Sequence, residues 1–323
     1  MNYRVLGQTG LRISEIGLGS WLTYGQAVND DTTVACVRAA FDQGINFFDT
    51  ADVYAGGRAE ESLGKALRQL PRNQIVIATK VYFRMWPGPL GAGLNRKHIV
   101  ESVEGSLRRL GVDYIDLYQT HYPDKDTPVD QTLRAMEDLR RQGKILFSGC
   151  SNYTAAEIAE SMSAAERFNV GRFESLQPEY SMLFRHIETA ELPLCARHKI
   201  GVVSYSPLAE GVLTGKYKSV DRIPQQSRMG REGPKGKRQS PHLTAANLAR
   251  VRKLAPIAKK MGCTLGQLAL AWVLHRPEIT SAITGASRPE QVVENVRATT
   301  LKLDAETLEA IEKALDNKPQ KPW

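Results

Sequence analysis

No stretch of this chain approaches the roughly 18 consecutive apolar residues that span a bilayer, so no membrane-crossing helix is expected. The opening residues, Met1 to Gly7, lack the apolar centre of a secretory signal. Cysteine is scarce: Cys36, Cys150, Cys195 and Cys263 stand far apart in 323 residues. With no CxxC spacing, neither a zinc site nor a disulfide framework is expected, and a reducing cytoplasmic setting fits best. The chain also lacks the signature of a doubly wound dinucleotide-binding sheet. Where GxGxxG would follow a first strand, Gly17, Leu18 and Gly19 run into Ser20, Trp21 and Leu22, with no third glycine. The nearest approach to a phosphate loop, Gly211 through Lys216, is followed by Tyr217. No low-complexity segment or linker divides the chain, which predicts a single domain over residues 1–323.

What is present is ordinary in bulk and specific in pattern. Hydrophobic residues at 42% and charged residues at 24% describe a soluble globular protein. The net charge of +8 favours anionic partners. Nucleic acid, an acidic membrane surface and a phosphorylated cofactor fit that charge equally. Arg228, Arg231, Lys235, Lys237 and Arg238 crowd one Gly/Pro-containing stretch. That stretch reads either as a solvated loop or as a basic flap over a phosphate.

After a short hairpin at residues 3–6 and 12–16, apolar runs alternate with amphipathic helix patterns. Asp31 is a candidate cap for a helix running to Gln43, with Gly44 as its stop. Strands are expected near residues 15–18, then at 45–48, 75–80, 114–119, 145–150, 175–177, 201–205 and 281–284. A long loop at 206–243 and extra helices at the C-terminal end interrupt the rhythm. Eight strands alternating with helices predict a (β/α)8 barrel, in which strand ends face one common mouth.

Four polar residues fall at those ends: Asp49 and Tyr54 after the second strand, Lys80 closing the third, His121 after the fourth. Each has an ordinary use alone, as a loop cap, rim packing, a snorkelling amine or a satisfied imidazole. Their recurrence on successive strand ends points to an active site. A phenol beside an ammonium is a tunable proton donor, and a carboxylate would keep the ammonium charged.

The strings around these residues resemble the aldo-keto reductase family over essentially the whole chain. They are Gly44 to Tyr54 (GINFFDTADVY), Ala59 to Gly64 (AEESLG), Ile77 to Lys80 (IATK) and Asp113 to His121 (DYIDLYQTH). The resemblance implies that Tyr54 is the general acid, that Lys80 lowers its pKa, that Asp49 pairs with Lys80, and that His121 orients the carbonyl. It implies NADPH/NADP+ as cofactor, and no metal. Ser151, Asn152 and Gln177 would hold the carboxamide, and Tyr205 would stack on the nicotinamide. Ser206, Pro207, Leu208, Gly211 and Leu213 would follow the pyrophosphate, with Lys216 and Arg228 as a basic clasp. Gly285, Ser287, Arg288 and Gln291, with Glu294 and Asn295, resemble the adenosine-phosphate site, where Arg288 would favour the 2′-phosphate and Glu294 and Asn295 would hold the adenine. Asp49 and Trp21 would also touch the cofactor. Trp21, Tyr24, Tyr82, Phe83, Trp86 and Tyr122 are candidates for an aromatic substrate pocket.

Details around Trp21, Lys97 and Lys216 are similar to the branch of potassium-channel beta subunits and their bacterial and plant relatives. That branch implies a tetramer or octamer, and it raises a channel partner as an alternative role. A small carbonyl compound is the expected substrate. Neither nucleic-acid binding nor membrane insertion is expected. A lyase using Lys80 as a Schiff-base nucleophile is the remaining rival.

Overall fold

The computed structural model describes residues 1–225, 227–230, 232–233, 236–237, 240–317 and 319. Side chains of 232–233 and 236–237 fall outside that description. An N-terminal hairpin pairs β1 (Tyr3–Val5) with β2 (Arg12–Ser14). The barrel follows: β3 (Ile16–Gly19), α1 (Asp30–Asp42), β4 (Phe47–Asp49), α2 (Arg58–Leu67), β5 (Val76–Val81), α3 (Arg96–Leu110) and β6 (Ile115–Thr120). It continues with α4 (Val129–Arg141), β7 (Ile145–Ser151), α5 (Ala155–Phe168), β8 (Ser175–Gln177), α6 (Glu191–His198) and β9 (Gly201–Ser204). A small ribbon, β10 (Glu232–Gly233) with β11 (Gly236–Lys237), lies in the long loop. The chain ends with α7 (Ala245–Lys260), α8 (Leu265–His275), β12 (Ile279–Thr284), α9 (Pro289–Val296) and α10 (Ala305–Leu315).

Eight strands close in the order β12-β3-β4-β5-β6-β7-β8-β9, with parallel pairing throughout. Period-two alternation sorts the strand side chains into two cores. Phe47, Val76, Ala78, Leu117, Val203 and Ile283 fill the barrel interior, where Leu6 and Ile13 of the hairpin join them. The residues between them, such as Phe48, Ile77 and Tyr118, face the helices. The interior is tight enough that β3 carries glycine where its neighbours need space. A Cβ on Gly19 would lie 2.5 Å from Ile283 Cγ2, and one on Gly17 would lie 2.7 Å from Phe47 Cδ1.

The hairpin is stitched to the far end of the chain. Arg4 donates to the carbonyls of Leu274, Arg276 and Ile279, and pairs with Glu15. Leu274 and Arg276 lie at the end of α8, where carbonyls lack helical partners, and Ile279 opens β12.

Two boundaries differ from the sequence expectation. The cap of α1 is Asn29, whose side chain accepts from the Thr32 amide. Asp31 is not the cap, and Asp30 is drawn away to Lys65 and Ser62 on α2. The sequence pattern over residues 187–198 reads as one helix, but it is split, because a 3-10 turn at His186–Glu188 precedes α6.

Candidate active site

Lys80 is wholly enclosed, and its ammonium finds three acceptors. They are Asp49 Oδ1 at 2.7 Å, Asp49 Oδ2 at 2.9 Å and the Thr50 carbonyl at 2.7 Å. An ammonium has three protons, so none is left for the phenol. Tyr54 instead presents its ring face to Lys80, with Nζ 5.2 Å from the ring centroid. Its hydroxyl stands 3.5 Å from His121 Nε2, at the outer limit of hydrogen bonding.

This geometry sets the ionisation. Burial, reinforced by the Asp49 charge, pushes the Tyr54 phenol well above its ordinary range. The expected lowering by Lys80 does not govern, because Asp49 neutralises that charge at contact distance and desolvation is larger. The proton therefore stays on Tyr54 through neutral pH, as a donor requires. Burial also pulls the Lys80 ammonium down, and Asp49 opposes that pull. Burial and the Lys80 charge lower His121 to about 2, so the imidazole is neutral.

The neutral imidazole makes stability fall in acid. His121 resists protonation in the fold, whereas the unfolded chain binds a proton below about 6.5. Stability from this group is fully present above that value and is lost as pH falls, by about 1.4 kcal/mol per unit. Thermal unfolding from pH 7 down to pH 4.5 should show a steeper loss in the wild type than in His121→Asn. Equal slopes would remove His121 as a source of acid sensitivity.

A continuous set of hydrogen bonds ties this cluster to the expected cofactor side. Gln177 Nε2 donates to Asp49 Oδ2 at 2.9 Å and to Gln119 Oε1 at 3.3 Å. Ser151 Oγ donates to the Gln177 carbonyl at 2.7 Å. Asn152, left-handed at φ 62°, donates to the His121 carbonyl at 3.0 Å and to Ser151 Oγ at 3.1 Å. Tyr205 closes the set, its hydroxyl donating to Asn152 Oδ1 at 2.9 Å.

Next along the rim, Ser206, Ala209, Glu210 and Gly211 are left-handed, with φ of 52°, 46°, 55° and 94°. Pro207 is buried there, and Leu208 accepts the amides of Gly211 and Leu213. Leu213 is fully buried. Lys216 lies across Gly211, its Nζ 2.8 Å from where a Cβ there would stand. Arg228 lies 5.7 Å from the Trp21 ring and beside Gly285, so it bridges the loops after β3 and β12. Ser287 offers both its amide and its hydroxyl to Gln291 Oε1. Arg288, the residue before α9, is mostly exposed and stands 3.8 Å from Glu290. Glu294 is exposed and Asn295 half-buried on α9. Of the basic stretch, Arg231, Lys235, Arg238 and the side chain of Lys237 lie outside the described residues.

The aromatic candidates divide. Phe83 meets the His121 ring edge-on at 5.0 Å, and Tyr122 stacks on it at 6.0 Å. Tyr82 touches both Phe83 and Tyr122, and Trp21 stands 6.4 Å from Tyr54. Trp86 packs on His98 at the start of α3. Tyr24 does not reach the mouth: it is fully buried beneath α1, with its phenol beside Cys36. Two participants were missed in the sequence. Gln119 continues the inward alternation Leu117, Gln119, His121, a period-two signal that could have revealed it. Thr50 acts through its carbonyl, which no side-chain pattern encodes.

A closed parallel barrel whose strand ends gather these donors and acceptors in one mouth has the architecture of a barrel enzyme. The comparisons narrow that class. The Aldo/keto reductase family matches residues 15–316, and the chain belongs to that family. It is 42% identical to a probable voltage-gated potassium channel subunit beta of Arabidopsis thaliana, covering 100% of this chain and 99% of the relative. A probable voltage-gated potassium channel subunit beta of Oryza sativa subsp. japonica is 41% identical, with 99% and 98% covered. A putative voltage-gated potassium channel subunit beta of Schizosaccharomyces pombe is 40% identical, with 98% and 94% covered.

Proposed function

We propose that this protein reduces aldehydes, and ketones as a secondary class, to alcohols with NADPH, and that Tyr54 donates the proton. The observation that carries this reading is the unbroken hydrogen-bond set from Lys80 and Asp49 through Gln177 and Asn152 to Tyr205. It joins the proton donor's surroundings to the surface where a nicotinamide would lie.

The residues present fit NADPH. Lys216, Arg228 and Arg288 supply three cations around a left-handed loop and a helix start, which suits a ligand with three phosphates. Tyr205, held by Asn152, offers a flat apolar face at low entropy cost. Ser151, Asn152 and Gln177 are the carboxamide partners in this reading, and Glu294 and Asn295 the adenine partners. When bound, the reduced nicotinamide supplies the hydride. As negative charge builds on the substrate oxygen, Tyr54 answers it with a proton. His121, neutral at its Nε2 beside Tyr54, orients the carbonyl. Phe83, Tyr122 and Tyr82 form an aromatic rim beside His121 that favours aryl or small apolar substrates.

The test is loss of NADPH absorbance over an aldehyde panel, with NADH alongside. Turnover that prefers NADPH supports the reading. Arg288→Ala should weaken NADPH at least tenfold, in line with loss of a charge-assisted contact of about 1.5–3 kcal/mol, and leave NADH nearly unchanged. Equal weakening of both would remove the 2′-phosphate role.

A second reading rests on the names of the relatives. In it the protein is a cytoplasmic NADP(H)-sensing subunit, a tetramer or octamer, that docks on a potassium channel or another partner. Tight NADPH binding without appreciable turnover would favour it, and the mass in solution would report the assembly.

A further inference from the structure

Tyr54 stands on an unusual piece of backbone. The three residues after it, Ala55, Gly56 and Gly57, have φ of 52°, 65° and 92°. A left-handed residue with a side chain costs about 1–2 kcal/mol, and such runs persist only where their surroundings fix them. At Gly57 those surroundings are Arg109, from the last turn of α3. A Cβ on Gly57 would lie 2.8 Å from Arg109 Cδ and 3.0 Å from its Nε, so the arginine lies flat against that glycine. Gly105, one turn earlier, leaves the room for this. A Cβ there would lie 2.9 Å from Arg109 Nη1.

The same guanidinium reaches further. Arg109 Nε donates to Glu60 Oε2 at 2.7 Å, and Glu60 Oε1 accepts from Thr79 Oγ1 at 2.6 Å. Glu60 is fully buried in the first turn of α2, just past Tyr54, and Thr79 is fully buried immediately before Lys80 on β5. Asp52 is also fully buried there, and among the described residues no side chain hydrogen-bonds its carboxylate. Arg109 thus links the turn beneath the phenol to the strand that carries the lysine. It also supplies a cation to a space that holds two acids.

We propose that Arg109 is a positioning residue for Tyr54: lying on Gly57 and pairing with Glu60, it fixes the turn that aims the phenol at His121 and the reacting oxygen. This rests on the reading of Tyr54 as proton donor. A displacement of about 1 Å at a reacting group can cost a hundredfold in rate, so the effect belongs in kcat. Among the described residues, Arg109 makes no direct hydrogen bond or ion pair with the residues proposed to hold the cofactor.

The test compares the full-length protein with its Arg109→Gln, Arg109→Lys and Thr79→Val variants. Four quantities are measured: kcat and KM for an aryl aldehyde, NADPH affinity by fluorescence, thermal unfolding, and the NMR signal of ring-labelled Tyr54, assigned by its loss in Tyr54→Phe. Arg109→Gln should lower kcat roughly 10- to 100-fold, with KM and NADPH affinity within about twofold, and should move the Tyr54 signal. Arg109→Lys should recover part of kcat, because it keeps a charge for Glu60 but cannot cover Gly57 as a flat group. Thr79→Val, nearly isosteric, should lower kcat a few-fold. A folded Arg109→Gln with wild-type kcat and an unmoved Tyr54 signal overturns the proposal. If Arg109→Gln does not fold, wild-type kcat and Tyr54 signal in Thr79→Val overturn it. If the unaltered protein reduces no carbonyl, the donor reading fails on its own, and the NMR comparison still decides whether Arg109 positions Tyr54.

Discussion

Replacing Tyr54 with phenylalanine should abolish carbonyl reduction and little else. The expected fall in kcat is roughly a hundred- to ten-thousand-fold, the usual contribution of a positioned proton donor. NADPH affinity should hold, because no other residue in the hydrogen-bond set depends on the phenol. Among the described residues the hydroxyl's one hydrogen-bond approach is to His121 at 3.5 Å, so the melting temperature should barely move. Steady-state kinetics with an aldehyde, NADPH titration and thermal unfolding give the three readings. Full activity in Tyr54→Phe would end the assignment of the acid.

Lys80→Met should damage both catalysis and stability. Asp49 sits almost wholly buried against the ammonium. Removing one partner of a buried pair strands the other at a cost of about 3–5 kcal/mol. Gln177 Nε2 still donates to Asp49 Oδ2, which places the cost toward the lower end. The lost ammonium also removes the only cation against the Tyr54 ring described here, so turnover falls as well. Denaturant unfolding measures the first effect and kcat the second. A stability change below 1 kcal/mol would mean that water enters and solvates Asp49. An unchanged kcat would leave Lys80 a structural counter-ion.

Much of this molecule was legible in its sequence because strands and helices leave periodic traces. All eight barrel strands fall within a few residues of their expected places, since β-branched runs alternate with amphipathic stretches. The gathering of Asp49, Tyr54, Lys80 and His121 was legible for the same reason: a barrel brings strand ends together whatever the loops do. The failures have a common cause in competition among neighbours. Asn29, Asp30 and Asp31 are three plausible caps in a row, and α2 decides among them by claiming Asp30 for Lys65 and Ser62. Tyr24 reads as a pocket aromatic from its place near Trp21, but the turn through Gly25 drives it into the core beneath α1. The sequence offers no sign that Glu60 and Asp52 are buried, as both are. The partner that holds buried Glu60, Arg109, stands 49 residues further along the chain, a distance across which no local pattern can speak.

The stitching of Arg4 to Leu274, Arg276 and Ile279 has a bearing on how the chain is made. The first strand of the barrel finds one of its two neighbours only in β12, and the hairpin beneath it finds its anchor only at the end of α8. On the ribosome, most of the chain must therefore emerge while β3 still has an open edge and the floor of the barrel is unpinned. Long-range closure of this kind is slow to reach, and an open edge invites pairing with the wrong chain. Synthesis of this protein should depend on protection of its N-terminal third until its last strand arrives. A truncated product ending before Ile279 would be a candidate for aggregation rather than a smaller working barrel.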